Sequence, residues 1–170
     1  MSVKSPEAHL LTAAQIAGSE EFPLSHPLNP KSEVYLRRLG ETIGLQRAIV
    51  TMARVPPGKE SFIYHAHKGD EEWLYIVAGR GQAEIGDKAF EVGPGDFMAF
   101  PTPSIGHHLR NPYDGDLGDL VYLMGGERGR VDVGEFPTVG KHIIFAADGI
   151  YLADSDKLTH MSFADWVKKP

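Results

Sequence analysis

The sequence predicts an all-β protein built as an antiparallel barrel or jelly roll, and three observations support this fold class. Glycine and proline, 19 and 12 of 170 residues, make up about 18% of the chain, where roughly 12% is usual. They are scattered without a period, and short strand-like segments lie between them. The linkers between these segments have the length and chemistry of hairpin turns. A composition of 42% hydrophobic and 24% charged residues is ordinary for one globular domain.

Eight segments between residues 38 and 128 are predicted to be strands of this barrel, because glycine, proline and polar turn residues separate them into short stretches. The predicted strands are Leu45–Val55, Phe62–His67, Glu72–Val77, Gln82–Ile85, Lys88–Val92, Phe97–Phe100, His107–Asn111 and Leu120–Met124. Gly86 and Asp87 fit a two-residue hairpin turn between two of them. Eight short strands at this spacing favour a small barrel or jelly roll.

Residues 1–37 are predicted to form an N-terminal arm. Thr12 and Gln15 have the spacing of a capping box, so one short helix is expected there. Prolines at positions 23, 27 and 30 then interrupt regular structure. The segment is therefore expected to be an arm of the barrel and not a domain.

Residues 129–170 form a second predicted arm, which packs on the barrel or on a partner subunit. It carries a strand-like piece at His142–Phe145 and a last helix opened by Ser162, with Asp165 three residues on.

The predicted strand Glu72–Val77 is apolar on both faces, whereas a barrel strand with a solvated exterior alternates between apolar and polar residues. Something must cover its outer face, so a homodimer in which the arms take part is expected.

Charge and composition exclude several kinds of partner. The net charge is −6, and basic residues form no run that could neutralise a phosphate backbone, so no nucleic-acid partner is expected. The chain has no cysteine, so a transition metal would be held by histidine and carboxylate alone. The sequence contains neither a signal-peptide core nor an apolar span of about 20 residues. No membrane association and a cytoplasmic location are therefore expected.

The segment from His65 to Glu72 has the spacing of a metal site. His65 and His67 are two residues apart, so their imidazoles project from the same face of a strand and can meet one ion. After a short loop Glu72 begins the next strand and returns a carboxylate beside them. A pair of histidines at this spacing is a weak signal by itself, and further ligands must be found.

A second segment supplies another histidine and completes a two-motif pattern. The first motif consists of Gly58, His65, His67, Glu72 and Gly79, and the second consists of Gly95, Pro101, His107 and Asn111. This pattern resembles that of the cupin superfamily. It departs from the family by one additional residue after Gly58 and one between Pro101 and His107.

The resemblance implies an antiparallel barrel with one divalent metal at its mouth. The side chains that it implies as ligands are His65, His67, Glu72 and His107. Three imidazoles and one carboxylate suit Fe, Mn, Ni, Cu or Zn, and leave open positions for water, dioxygen or a substrate.

Adjacent residues compete for two of these roles. Glu71 precedes Glu72, and His108 follows His107. Only Glu72 and His107 keep the family's intervals to the residues that end the two motifs, so they are preferred. A bulge after Pro101 would reverse the choice between the two histidines.

Strand alternation predicts the lining of the cavity around the metal. The side chains expected there are Ser61, Ile63, Leu74, Ile76 and Leu109, with Tyr122 from the last strand. This lining is mostly apolar. Arg47 and Arg54 lie on opposite faces of their strand, so only one of them could bind an anionic substrate.

The function predicted from these features is that of a metal-dependent enzyme acting on a small organic molecule. The apolar lining, with no obvious acid–base pair beyond the ligands, favours a dioxygenase-type oxidation. Isomerases, decarboxylases and lyases share this scaffold, so the fold alone does not choose the reaction. A metal-assisted binding or sensor protein without catalysis is the alternative from a different class.

Overall fold

The computed structural model describes residues 5–129, 131–162 and 166, which form fourteen strands and two short α-helices. The helices are Ala13–Ala17 (α1) and Leu39–Ile43 (α2). The strands, β1 to β14 in chain order, are Phe22–Leu24, Val34–Arg37, Ala48–Val55, Lys59–Glu60, Ala66–His67, Glu72–Ala78, Gly81–Ile85, Lys88–Val92, Phe97–Phe100, His107–Asn111, Leu120–Glu127, Asp132–Phe136, Lys141–Ala146 and Gly149–Asp154. No helix in these ranges is long and apolar enough to cross a membrane.

Two antiparallel sheets form the barrel, which confirms the fold class predicted from the sequence. The six-stranded sheet has the order β1-β2-β3-β11-β6-β9, and the four-stranded sheet has the order β4-β10-β7-β8. Successive side chains point to opposite faces of a strand, so one face of each sheet supplies the core. The large apolar side chains most deeply buried there are Val34, Val55, Ile76, Leu109, Leu120 and Tyr122.

Seven of the eight predicted strands are present, with ends that differ by at most three residues. The exception is the segment Phe62–His67, of which only Ala66–His67 is a strand. His65 forms just an isolated bridge with His107, and the Phe62 carbonyl accepts a hydrogen bond from the side chain of Asn29. The N-terminal arm therefore replaces part of the ladder that local alternation predicts.

The N-terminal arm contains the helix that the capping box predicts. The Thr12 backbone N–H donates to Gln15 Oε1 at 2.8 Å, and the Gln15 N–H donates to Thr12 Oγ1 at 3.3 Å, which confirms the motif. The arm also supplies β1 and β2, which continue the six-stranded sheet beyond β3.

The C-terminal arm folds as a sheet of its own. Strands β12, β13 and β14 join β5 in the order β14-β13-β12-β5. The strand-like piece predicted at His142–Phe145 lies within β13. The dipeptide Asp148-Gly149 is a hairpin signal that would have revealed β14. The helix predicted to open at Ser162, with Asp165 in its first turn, falls largely outside the described residues.

Candidate metal centre

The side chains of His65, His67 and Glu72 lie together in the structure. Strand β5 ends at His67 and β6 begins at Glu72, so the intervening loop brings the carboxylate back to the imidazoles. Oε2 of Glu72 is 3.8 Å from Nε2 of His65 and 3.7 Å from Nε2 of His67. Bonds of about 2.1 Å to a shared ion place two ligand atoms roughly 3–4 Å apart. One ligand atom from each residue lies within 4.8 Å of the others, so the three could hold one ion.

His107 joins this group from the opposite sheet. Its Nε2 is 2.9 Å from Oε2 of Glu72, and its side chain is only 2% exposed. The ring is stacked on Phe100 with a centroid distance of 3.5 Å. Glu72 lies on β6 and His107 on β10, so the group bridges the two sheets of the barrel.

All three imidazoles have an oxygen acceptor within hydrogen-bond distance of Nδ1. Nδ1 of His65 is 2.8 Å from the Ile63 carbonyl oxygen, and Nδ1 of His107 is 2.9 Å from the Ile105 carbonyl oxygen. Nδ1 of His67 is 2.6 Å from Oδ2 of Asp132. When an ion occupies the centre, these acceptors hold the proton at Nδ1 and free the Nε2 lone pair for the ion. This is the tautomer that binds a metal through Nε2.

Glu72 is ionised in this group. Burial raises the pKa of its carboxyl, but the contacts with His107 and His65 lower it by more, so the pKa is well below the ordinary value. A carboxylate therefore faces three imidazoles. This donor set carries one negative charge when the imidazoles are neutral, and it fits a divalent transition metal.

His108 points to the outer face of the four-stranded sheet. Its Nε2 is 2.7 Å from Oε2 of Glu84, and its ring meets Tyr64 edge to face. Burial lowers the pKa of this imidazole, and the nearby Glu84 opposes that shift. The structure thus places His107, and not His108, with the other three side chains, despite the additional residue after Pro101.

A cavity of about 520 Å³ adjoins His65, His67 and Glu72. Most of its wall is apolar, and both arms contribute to it. The apolar side chains of the wall are Leu24, Pro27, Ile49, Phe62, Ile63, Met124, Phe136, Ile143, Phe145 and Ile150. The polar ones, besides the three candidate ligands, are Ser25, His26, Asp70, Glu71 and Glu127.

Of the six side chains predicted to line the cavity, Ile63 does so. The other five lie in the buried core: Ser61, Leu74, Ile76, Leu109 and Tyr122. Alternation predicts the face to which a side chain points, but not which part of the interior it occupies. The cavity wall comes largely from the arms, which the parity of the barrel strands does not describe.

Neither Arg47 nor Arg54 lines the cavity. The Arg54 guanidinium lies 2.8 Å from Glu21 and 2.9 Å from Asp119, and is 4.0 Å above the ring of Tyr35. Within the described part of the chain no lysine or arginine lines the cavity. Its wall therefore offers no side-chain cation to a phosphate or carboxylate.

Sequence reasoning missed Asp132, which holds the Nδ1 atom of His67. The two residues are 65 positions apart in the chain, and Asp132 lies in the predicted C-terminal arm. No local period or spacing connects them. Only the pairing of β12 with β5 brings them together.

The fold and the site together define a two-sheet β-barrel with a candidate metal centre of His65, His67 and Glu72, and His107 contacts the Glu72 carboxylate. The family model described as "Cupin domain" matches residues 51–124, a range that contains all four side chains. Residues 51–124 are therefore a cupin domain.

Solved structures extend this likeness over the arms. A protein from Acidithiobacillus ferrooxidans, provisionally described as a sugar phosphate isomerase, is 29% identical with a TM-score of 0.86. The alignment covers 93% of this chain and 99% of that chain. No curated protein matches the chain at a significant level.

Two more distant structures show the fold alone. One is described as a sugar phosphate isomerase of the cupin superfamily from Silicibacter pomeroyi, with 23% identity, a TM-score of 0.69, and coverage of 76% of this chain and 81% of that chain. The other is a polyketide cyclase from Streptomyces resistomycificus, with 19% identity, a TM-score of 0.57, and coverage of 69% and 80%.

Proposed function

We propose that this protein is a metal-dependent enzyme that acts on a small, largely apolar organic molecule. The observation that carries this proposal is the grouping of His65, His67 and Glu72 beside a largely apolar cavity of about 520 Å³, with His107 in contact with Glu72. A cavity of this size is suited to a small substrate.

The residues that would hold the metal are His65, His67, Glu72 and His107. Their donor atoms, three imidazole nitrogens and one carboxylate oxygen, suit Fe, Mn, Ni, Cu or Zn. A bound ion of this kind supplies Lewis-acid or redox chemistry. The protein contributes the orientation of the imidazoles, the charge of Glu72 and a largely apolar wall.

Oxidation with dioxygen is the reaction that the cavity favours. Phe62, Met124 and Phe136 are among the side chains of a wall to which both dioxygen and an apolar substrate partition from water. The carboxylates of Asp70, Glu71 and Glu127 also line the cavity, which gives a neutral or cationic substrate the better electrostatic fit.

Isomerisation is the second candidate, because the 29% identical structure bears the name of a sugar phosphate isomerase. A phosphorylated sugar is usually bound by arginine, lysine or a helix N-terminus. The cavity wall formed by the described residues has no lysine or arginine and carries several carboxylates. These features favour an unphosphorylated substrate in this chain.

The test begins with the metal and then compares the two reactions. Purified protein is analysed for elemental content, stripped, and titrated separately with Fe(II), Mn(II), Ni(II), Cu(II) and Zn(II). The loaded protein is then assayed for oxygen uptake with a panel of small aromatic diols and thiols, and by NMR for interconversion of aldoses and ketoses with and without a phosphate group. His107→Ala serves as the variant that lacks a ligand, and His108→Ala is the matched control.

The expected result is binding of one metal per chain and oxygen uptake that His107→Ala abolishes. Interconversion of aldoses and ketoses, without oxygen uptake, would identify the protein as an isomerase and not an oxidase. Ligand binding without turnover would identify a binding protein. A wild-type protein that binds none of the five metals would overturn the proposal.

A further inference from the structure

Asp132 directs both of its carboxylate oxygens toward the segment that carries the candidate ligands. Oδ2 lies 2.6 Å from Nδ1 of His67. Oδ1 accepts hydrogen bonds from the backbone N–H groups of Gly69 at 3.0 Å and Asp70 at 3.2 Å. Asp132 is buried, and it lies outside the range that the family model matches. Its contacts are therefore buried contacts between the C-terminal arm and the segment of the candidate ligands, and not a surface ion pair.

The same carboxylate orders the loop that connects two candidate ligands. This loop joins His67 to Glu72, and the N–H groups of Gly69 and Asp70 within it both donate to Asp132. The length and path of the loop set the separation between the imidazole and the carboxylate. Asp132 thus fixes the orientation of one ligand and the approach of the other.

The C-terminal sheet docks on the barrel at the same place. Strand β12 pairs with β5 through Gly134 opposite His67, and the Lys68 N–H donates to the Val133 carbonyl at 2.9 Å. The sheet also supplies apolar side chains to the cavity wall, namely Phe136, Ile143, Phe145 and Ile150. One segment therefore both covers the cavity and holds a candidate ligand.

We infer that Asp132 is a positioning residue that couples the C-terminal sheet to the metal centre. This inference rests on the proposed metal-dependent function. A carboxylate that accepts the Nδ1–H of a ligating histidine fixes its tautomer and makes its Nε2 a better donor. The coupling is reciprocal. If Asp132 increases the metal affinity, then bound metal stabilises the docking of β12 by the same free energy.

The first test measures cobalt affinity in stripped protein by visible absorption and by competition with a chelator. Asp132→Asn is expected to bind cobalt about 10- to 100-fold more weakly than the wild type. One asparagine side chain cannot accept from the imidazole and from both loop N–H groups, because one of its two terminal atoms is a donor. Asp132→Ala removes both sets of contacts and is expected to lose at least as much.

Glu135→Gln is the matched control, because it changes a carboxylate on the same strand that pairs with Lys68. The control is expected to bind cobalt as the wild type does. Equal affinity of wild type and both Asp132 variants would overturn the inference and leave the proposed function standing. If the wild type binds neither cobalt nor any of the other five metals, both the inference and the proposed function are overturned.

The second test uses the wild type alone, so it does not depend on whether a variant folds. Backbone hydrogen exchange is measured with and without cobalt. The inference predicts slower exchange on cobalt binding in β12 (Asp132–Phe136), with no change in β8 (Lys88–Val92), which lies at the far edge of the other sheet. Unchanged exchange in β12 at saturating cobalt would refute the coupling.

Discussion

At the scale of single residues, two adjacent histidines on β10 have opposite surroundings. His107 contacts Glu72 inside the barrel, whereas His108 contacts Glu84 on the outer face. Strand alternation is the cause, since a shift of one residue would exchange the two side chains. The identity of the inward histidine is therefore a test of both the register and the metal site.

His107→Ala is expected to remove one donor atom and to lower metal affinity by at least about 100-fold, since it deletes a direct ligand where outer partners cost about 10- to 100-fold. His108→Ala is expected to keep the affinity and lose some stability, because it leaves Glu84 without its imidazole partner. Isothermal titration with Zn(II) measures both affinities. Equal loss of affinity in the two variants would contradict the assignment of His107.

At the scale of elements, the turn between β6 and β7 depends on Gly79. Its φ is +76°, and a Cβ placed there would lie 2.1 Å from the carbonyl oxygen of Asp119. Gly58 has a similar φ of +74°, but a Cβ placed on it would have no other atom within 4 Å. The two glycines share a left-handed backbone and differ in what a Cβ at each would contact.

Gly79→Ala is therefore expected to lose more stability than Gly58→Ala. The left-handed backbone costs an alanine about 1–2 kcal/mol at either position. The clash with the Asp119 backbone adds about 1–3 kcal/mol at position 79 alone. Urea unfolding measures the difference, and equal midpoints for the two variants would show that the turn relaxes without cost.

The N-terminal arm is tied to β3 by a charge cluster. Glu21 lies 2.8 Å from Arg54 and 2.8 Å from Arg37. The hydrogen bond from Arg54 is the main cause that holds the pKa of the Glu21 carboxyl below its ordinary value of 4.5. A carboxyl whose pKa is lower in the folded than in the unfolded state stabilises the fold at pH values above its unfolded pKa. This stabilisation is lost as the pH falls through the folded-state pKa.

Glu21→Gln is therefore expected to be less stable than the wild type at pH 7, with the difference shrinking as the pH falls below about 4.5. Thermal unfolding of both proteins from pH 7 to 3 measures this difference. A gap that stays constant over the whole range would show that the ionisation of Glu21 does not contribute to stability.

At the scale of the whole molecule, local spacing found the part of the site that lies within a short stretch of chain. His65, His67 and Glu72 are close in sequence, so strand geometry and a loop length suffice to bring them together. His107 came from the resemblance to a family. Asp132 was not predictable, because its contact with His67 depends on a strand pairing 65 residues away.

The difference between contacts within a short stretch of chain and contacts between distant segments also explains which structural elements were predicted. The barrel strands follow from turn signals between neighbouring segments, and most were predicted. The cavity wall was not, because side chains such as Phe136 and Ile143 reach it only through packing of the C-terminal sheet. Leu74 and Ile76 face inward as alternation predicts, but they fill the core.

The outer face of the six-stranded sheet remains apolar in the folded chain. Tyr75 and Val77 of β6 are 41% and 40% exposed, and Phe97 of the edge strand β9 is 62% exposed. Trp73 stacks on Phe97 with a centroid distance of 6.3 Å. Contiguous exposed apolar side chains of this kind are typical of interfaces between proteins.

A second copy of this chain is the expected partner for that face. An uncharged apolar patch is complementary to itself under a twofold axis, and two chains of net charge −6 repel each other elsewhere.

Val77→Arg is expected to convert a homodimer into monomers, because it would place two guanidinium groups at the twofold contact. Val139→Arg, at an exposed position on the turn after β12, is the control and should leave the dimer intact. Sedimentation at about 10 μM measures both, a concentration at which a dimer with micromolar or tighter affinity is largely assembled. A wild-type monomer at that concentration, or equal dissociation in the two variants, would place the contact elsewhere or exclude it.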